Sequence, residues 1–296
     1  MFLEWQKDLI LNLQEHHNLF TEIFFRAVSF LGAPEFFFIL LGFFYWTFNK
    51  KTGEFLGLTL GVATTLNNIL KGLFLLERPI VAHENDVKNI RRIPPKGTSF
   101  PSGHAQGSVS MFSAVARYQG TYLLWFLAAL VMVLMGLSRM FLGMHYLQDV
   151  VVGSLIGVAT ALVLYHFFDK FRHDEKKLHL FYVIVLLLLL PGAFFVGVED
   201  FFRRYGLLVG FMVAVFIEKR FIDFSTVIPP KWKVFRFVTG SVFTVSVLVL
   251  LGAFVDAFGL SADAPLKDAL DFLHFFLVSI AGFALFPALC KKVPLL

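Results

Sequence analysis

Three short stretches of this sequence carry residue types at spacings that could do chemistry. In "SRMFLGMHYLQD" (138–149), Arg139 precedes His145 by six residues and Asp149 follows it by four. Four residues is about one helical turn, so Asp149 is expected on the same helical face as His145, where a carboxylate fixes an imidazole's tautomer and stabilises its protonated form. In "SFPSGHAQGS" (99–108), Pro-Ser-Gly-His stands where a polar, basic loop gives way to an apolar run. The plain reading is a helix N-terminus capped by Ser102. The sharper one is an anion site: unpaired backbone N–H groups, the positive end of the dipole, the Ser102 hydroxyl and close approach at Gly103 would receive a phosphate beside His104. In "KGLFLLERP" (71–79), Lys71 and Arg78 are seven residues apart. That is close to two turns, which predicts both side chains along one stripe of a helix that Pro79 then stops. Taken alone, such basic residues at a helix end read as headgroup anchors.

These stretches must be positioned by membrane helices. The chain has 296 residues, 57% hydrophobic and only 16% charged, with mean hydropathy +0.74; a soluble domain carries about 25% charged residues. Runs of roughly 17–25 apolar residues predict an all-α, polytopic bundle of about nine transmembrane helices. They fall near 34–48, 53–76, 104–118, 121–141, 147–168, 178–198, 205–217, 234–258 and 266–290. Residues 1–32 alternate apolar and charged positions and are expected as interfacial amphipathic helices. No signal peptide is expected in "MFLEWQKDLILNLQEHH", and a single Cys, Cys290, excludes an internal disulfide framework. The net charge of +5 lies in short clusters between spans, as topology requires, and gives no reason to expect nucleic acid as a partner.

Lys and Arg in the connections at 49–51, 169–177 and 218–236 and in the tail predict that these lie on the cytoplasmic side. Arg203 and Arg204 dissent, as does the loop from Arg78 to Pro101, and a functional need for positive charge would excuse only the loop. Under that layout Lys71, Arg78, Ser102, His104, Arg139, His145 and Asp149 come from four separate helix ends and fall together on the extracytoplasmic face. Three cations, a helix N-terminus, two histidines and a carboxylate suit a phosphoryl group better than coincidental anchoring. A metal site would need more ligands at matching spacing, so no metal is expected.

The motifs "KGLFLLERP", "PSGH" and "SRMFLGMHYLQD" together resemble the three signatures of the type-2 phosphatidic acid phosphatase superfamily. The resemblance covers roughly residues 34–168. The nine-span layout is similar to the glucose-6-phosphatase branch, and "SFLGAPEFFFILLGFFYW" (29–46) resembles intramembrane sphingosine-phosphate phosphatases. Asp149 is kept here, as in the lipid phosphatases. The resemblance implies a metal- and cofactor-independent phosphatase of lipid phosphomonoesters, of long-chain-base phosphate or phosphatidate type. His145 would attack phosphorus to form a phosphohistidine, with Asp149 orienting it. His104 would protonate the leaving alkoxide and then activate water. Lys71, Arg78, Arg139, Ser102 and Gly103 would hold the phosphate. Undecaprenyl diphosphate or a sugar phosphate is the alternative substrate, and an anion or lipid transporter the alternative without chemistry. The partners expected are the lipid phosphate substrate and membrane lipids.

The domain layout expected is 1–32 interfacial, 33–170 catalytic core and 171–296 additional membrane helices of unknown role, the C-terminal third carrying no family motif. Elsewhere, Arg91, Arg92 and Lys96 in "RRIPPKG" lie in the loop over the proposed site, as solvated charges or as attractors of anionic headgroups. Asn67 and Asn68 are expected to hydrogen-bond neighbouring helices. Asp271 and His274 are expected to bond each other locally, with no cation cluster accompanying them.

Overall fold

The computed structural model of the chain describes residues 3–92, 94, 97–194, 200–261 and 265–292. Among these residues the regular structure is helical and no strand forms. In chain order come α1 (Glu4–Glu15), α2 (Leu19–Phe30) and α3 (Pro34–Phe43), the last continued by a π-helical turn at Phe44–Phe48. Then follow α4 (Lys50–Phe74), the short α5 (Pro79–Ala82), α6 (Gly103–Gln119), α7 (Tyr122–Phe141) and α8 (Leu147–Phe171). The remainder forms α9 (Glu175–Leu189), α10 (Phe201–Ile217), α11 (Pro230–Asp256), α12 (Pro265–Ile280) and α13 (Phe286–Lys292).

Six helical stretches are long and apolar enough to cross a bilayer, or seven if the bent α2–α3 pair is one span. The expected nine include α6 and α10, which have 17 residues each and fall short by length. Composition also explains α6: Gln106, Ser108, Ser110 and Ser113 are all buried, so this helix spends its inward face on polar groups.

The chain divides into two compact units. One comprises Met1–Phe37, Leu66–His166 and Phe194–Val198. In it α1 buries Gln6, Ile10 and Gln14, one stripe at i, i+4, i+8. Ile10 enters an apolar cluster with Ile80, Val87, Met140 and Tyr146. Gln14 donates through Nε2 to the carbonyls of Lys88 and Phe141, both at 2.9 Å, and accepts from the Lys88 N–H. Gln6 and Gln148 exchange a second pair of bonds. Helix α1 thus grips the α7–α8 turn. Helices α6 and α8 approach to near backbone contact: a Cβ at Gly153 would stand 2.8 Å from the Ser102 carbonyl oxygen, and one at Gly157 2.7 Å from that of Gln106. A glycine every fourth residue on one face permits this approach.

The other unit comprises Phe38–Thr65, Phe167–Ala193 and Glu199–Leu296. Its aromatic core includes Tyr45, Trp46, Phe211, Phe283 and Phe286, and the Trp46 indole donates to the Gly282 carbonyl at 2.9 Å. Buried Glu54 accepts from the Tyr182 hydroxyl at 2.6 Å and pairs with Lys219. Lys50 bonds Glu218 and Asp223 at 3.0 and 2.9 Å. Asp271 does not take His274 as its partner. It binds Arg203 of α10 at 3.1 Å and Lys267, one turn away on α12, at 3.2 Å, while His274 Nε2 donates to the Leu248 carbonyl at 3.0 Å. Packing α10 on α12 supplies a cation that local spacing does not reveal.

Candidate active site

The site lies within the first unit, and each of its walls begins with a helix end. Helix α4 stops at Phe74, four residues before Arg78. Leu75 takes a positive φ of 41°, and Arg78 is extended, as a residue before proline prefers. Pro79 opens α5 rather than ending α4, its missing N–H costing nothing at a first helical position. Lys71 and Arg78 therefore do not share a helical stripe; the turn at 75–78 aims Arg78 independently. The Lys71 ammonium donates to the carbonyls of Thr98 and Ser99 at 2.5 and 3.3 Å. Arg78 donates to the carbonyls of Gly97 and Met144 at 3.1 and 3.2 Å and to His145 Nε2 at 3.1 Å.

Helix α6 begins with the cap that its sequence suggests. Ser102 is extended and fully buried, and its hydroxyl accepts from the Ala105 N–H at 3.4 Å. Its own N–H donates to the Asp149 carbonyl at 2.9 Å, tying the motif to α8. Gly103 has a packing reason to lack a side chain: a Cβ there would stand 3.0 Å from Asn67 Oδ1. Asn67 holds the segment through Nδ2, which donates to the Pro101 carbonyl at 3.2 Å and to Gln106 Oε1 at 2.8 Å. His104 is half-buried, with Gly32 packed against its Cβ.

Between α7 and α8 the chain turns through Gly143, at φ 74°, where a Cβ would stand 2.5 Å from Ile80. Arg139 is buried, 1% exposed, and its Nη1 donates to the Ser29 hydroxyl at 2.7 Å. Its Nε has no hydrogen-bond partner and no carboxylate pairs with it among the described residues. Helix α8 starts at Leu147, so His145 precedes the helix instead of sharing a face with Asp149. The two still meet, because Asp149 occupies the third helical position and its Oδ2 reaches back to accept the Tyr146 N–H at 2.9 Å. This is the acidic arm of a capping box. The same oxygen accepts from the Ser99 hydroxyl at 2.5 Å and lies 3.5 Å from His145 Nδ1.

The tautomer of His145 follows from these partners. A guanidinium can only donate, so Nε2, which faces Arg78, carries the lone pair. The proton then sits on Nδ1, facing the Asp149 carboxylate and the Ser99 hydroxyl. Burial first, then the charges of Arg78, Arg139, Lys71 and His104, hold this imidazole well below its usual pKa. His145 is thus a neutral ring with its basic nitrogen turned toward cations.

All eight residues singled out from sequence fall in this unit. Direct bonds join Arg78 to His145 and the Ser102 backbone to Asp149, and Ser99 links Lys71 to Asp149. Arg139 and His104 reach His145 through their charge. Ser99, Asn67 and Gln106 had no assigned role in the site. Ser99 stands three residues before Ser102, yet only the fold shows where its hydroxyl goes. Arg92, in the loop over the site, pairs with buried Glu22 of α2 at 2.8 Å, while Lys96 lies outside the described residues.

The sequence pattern of the PAP2 superfamily matches residues 54–173, and that described as PAP2 superfamily phosphatase, transmembrane extension, matches residues 202–295. The chain belongs to the PAP2 superfamily. This is the type-2 phosphatidic acid phosphatase superfamily that its motifs resemble, and the chain is a multi-pass membrane phosphatase, a phosphoric monoester hydrolase. The second match reaches into the C-terminal third, where no family motif is visible in the sequence. Among characterised PAP2 proteins, phosphatidylglycerophosphatase B of Bacillus subtilis (strain 168) is 27% identical over 170 residues, 51% of this chain and 77% of that protein. Lipid phosphate phosphatase delta of Arabidopsis thaliana is 24% identical over 202 residues, 62% of this chain. The match spans about half, 47%, of that plant protein. The crystal structure of Aquifex aeolicus LpxE aligns with TM-score 0.49 and 26% identity, covering 54% of this chain and 94% of that one. The crystal structure of the first transmembrane PAP2 type phosphatidylglycerolphosphate phosphatase from Bacillus subtilis aligns with TM-score 0.49 and 22% identity, covering 57% and 87%.

Proposed function

We infer that this PAP2 phosphatase hydrolyses lipid phosphomonoesters, of long-chain-base phosphate or phosphatidate type, through a phosphohistidine at the extracytoplasmic face. One observation carries the reading. Arg139 is a buried guanidinium that no carboxylate among the described residues pairs with, near an imidazole whose lone pair points at a second guanidinium. A buried charge without a counter-ion is costly unless a ligand supplies one. A phosphate monoester brings that charge, together with an electrophilic phosphorus for Nε2.

In the first step His145 Nε2 attacks phosphorus and the bond to the ester oxygen breaks, with His104 donating a proton to the leaving alkoxide. Arg78, which covers Nε2 in the free enzyme, transfers its hydrogen bond to a phosphate oxygen, and Lys71 and Arg139 stabilise the charge on the others. In the second step His104 takes a proton from water, the hydroxide attacks phosphorus, and inorganic phosphate leaves with His145 neutral again. Asp149 stabilises the imidazolium side of each step. Three cations provide the charge stabilisation for which other phosphatases use metal ions. The names of the curated relatives, a phosphatidylglycerophosphatase and a lipid phosphate phosphatase, support a lipid substrate, and the Lys/Arg bias of the connections supports the extracytoplasmic face.

Phosphate release by purified protein in EDTA tests this on a panel of phosphatidate, sphingoid-base phosphate, phosphatidylglycerophosphate, undecaprenyl diphosphate and glucose 6-phosphate. Turnover is expected on the first two, with an acid-labile, base-stable phosphoryl label on the wild type and none on His145→Ala. Turnover by folded His145→Ala within about tenfold of wild type would refute the mechanism, since losing a nucleophile costs orders of magnitude more.

A further inference from the structure

We propose that Ser99 is a positioning residue for the nucleophile, its hydroxyl holding Asp149 in the orientation from which that carboxylate steers His145. The inference rests on His145 being the nucleophile and adds a residue that the family motifs leave aside.

The hydrogen bonds around Asp149 Oδ2 support it. This oxygen receives the Ser99 O–H at 2.5 Å and the Tyr146 N–H at 2.9 Å. His145 Nδ1 stands 3.5 Å from it. The Ser99 oxygen is as near to Nδ1, at 3.4 Å. Having donated its only proton to Asp149, it turns lone pairs toward the ring, and a hydroxyl that accepts on one side and donates on the other joins imidazole to carboxylate. Ser99 is fully buried, so no exchangeable solvent does this work instead. Its backbone is pinned independently: its N–H donates to the Leu76 carbonyl at 2.6 Å and its carbonyl accepts from Lys71 at 3.3 Å. Removing the hydroxyl thus disturbs the nucleophile while leaving the Lys71 contact in place.

The consequence has a sign. The charged and titratable groups facing His145 are Lys71 at the end of α4, Arg78 in the following turn, His104 on α6, Arg139 on α7 and Asp149 on α8. Of these only Asp149 favours the imidazolium. The Ser99 oxygen faces the Nδ1–H and its proton holds Asp149 toward the ring, so its loss removes two supports of the imidazolium and makes His145 less basic.

The test uses full-length enzyme in detergent micelles and whichever lipid phosphate of the panel above the wild type turns over fastest. Ser99→Ala is expected to lower kcat about tenfold, the loss of one charge-assisted hydrogen bond, with KM within about twofold. The acidic limb of its kcat/KM profile is expected to move to lower pH, which a merely structural defect would not cause. In an Asp149→Asn background the same substitution is expected to cost less than about twofold, because the two act as a unit. Ser99→Cys, nearly isosteric and a weak donor, gives the same reading should the alanine protein fold poorly. Wild-type kcat in folded Ser99→Ala or Ser99→Cys, or a loss fully additive with Asp149→Asn, overturns the proposal. An active His145→Ala enzyme would instead overturn the nucleophile assignment beneath it, whatever Ser99 does.

Discussion

Gly153→Ala tests whether the close approach of α6 and α8 sets the site's geometry. The added Cβ would stand 2.8 Å from the Ser102 carbonyl oxygen, 3.4 Å from the Ser102 nitrogen and 3.5 Å from the Gln106 nitrogen. Ordinary contact begins near 3.4 Å, so one helix must yield by about 0.6 Å. Every one of these atoms is backbone, so no side chain can swing aside. The displaced residue is the cap of α6, whose N–H bonds the Asp149 carbonyl at 2.9 Å, so the shift moves the Ser102–His104 segment against His145 and Asp149. Overpacking of this kind costs ~1–3 kcal/mol of stability. A displacement approaching 1 Å in a positioned catalytic group costs up to ~100-fold in rate. Phosphate release by the purified variant is therefore expected to fall about 10- to 100-fold in kcat, with helix content and monodispersity retained. Gly252→Ala in α11 is the control: its nearest neighbour, His274 Cε1, is at 3.4 Å, and kcat should stay within about twofold. A Gly153→Ala enzyme with wild-type kcat and thermal midpoint would refute the claim that this contact sets the site.

Two further outcomes follow from buried charge. His145 is held below the 6.5 of a free imidazole by burial and cations, so between that value and its lower folded one the unfolded chain binds a proton the folded chain refuses. The stability it contributes is present above about pH 6.5 and drains away as pH falls through that window; the thermal midpoint should drop on acidification less steeply in His145→Gln, and equal slopes would contradict it. In the second unit, Glu54→Ala strips Lys219 and the Tyr182 hydroxyl of their common partner. Breaking a buried pair costs ~3–5 kcal/mol, whereas replacing both members with leucine restores much of it; thermal unfolding of the single and double variants reads this directly, and a single variant as stable as wild type would show the pair to be idle.

What was legible in the sequence was the gathering of motif residues at helix ends, because motif residues and apolar runs are both local patterns. The sites of Lys71, Arg78, Arg139, His145 and Asp149 needed only the positions where hydrophobic runs stop. The geometry within those ends was less accessible. A helical period laid over 71–78 misses the break at Leu75, a leucine at positive φ that no propensity rule would choose. The i, i+4 spacing of His145 and Asp149 suggested a shared helical face, whereas a capping bond to Tyr146 brings them together from opposite sides of a helix start. Gly103 reads from sequence as room for a ligand, and the fold adds Asn67 as a neighbour a Cβ would crowd. Ser99, Asn67 and Gln106 share one difficulty: a buried serine or amide looks the same in sequence whether it serves a site or a helix contact. Only the partner decides, and the partner is far away along the chain.

The charge pattern of the connections can be checked inside the second unit by itself. The Lys/Arg bias places residues 49–51, 169–177 and 218–236 on one membrane face. In the structure Lys50, Lys51, Glu54, Glu175, Glu218, Lys219 and Asp223 line a single cavity of about 290 Å³. Groups on opposite faces are separated by a hydrocarbon layer of about 30 Å and could not share such a cavity. Lys291 near the C-terminus donates to the Ile222 carbonyl, adding the tail to the same group. The dissenting Arg203 and Arg204 are held by carboxylates. Arg203 is bound to Asp200 and Asp271, and Arg204 to Asp200, with Lys267 also on Asp271. Sidedness rules count Lys and Arg without asking what they touch, so the two remain exceptions to the layout.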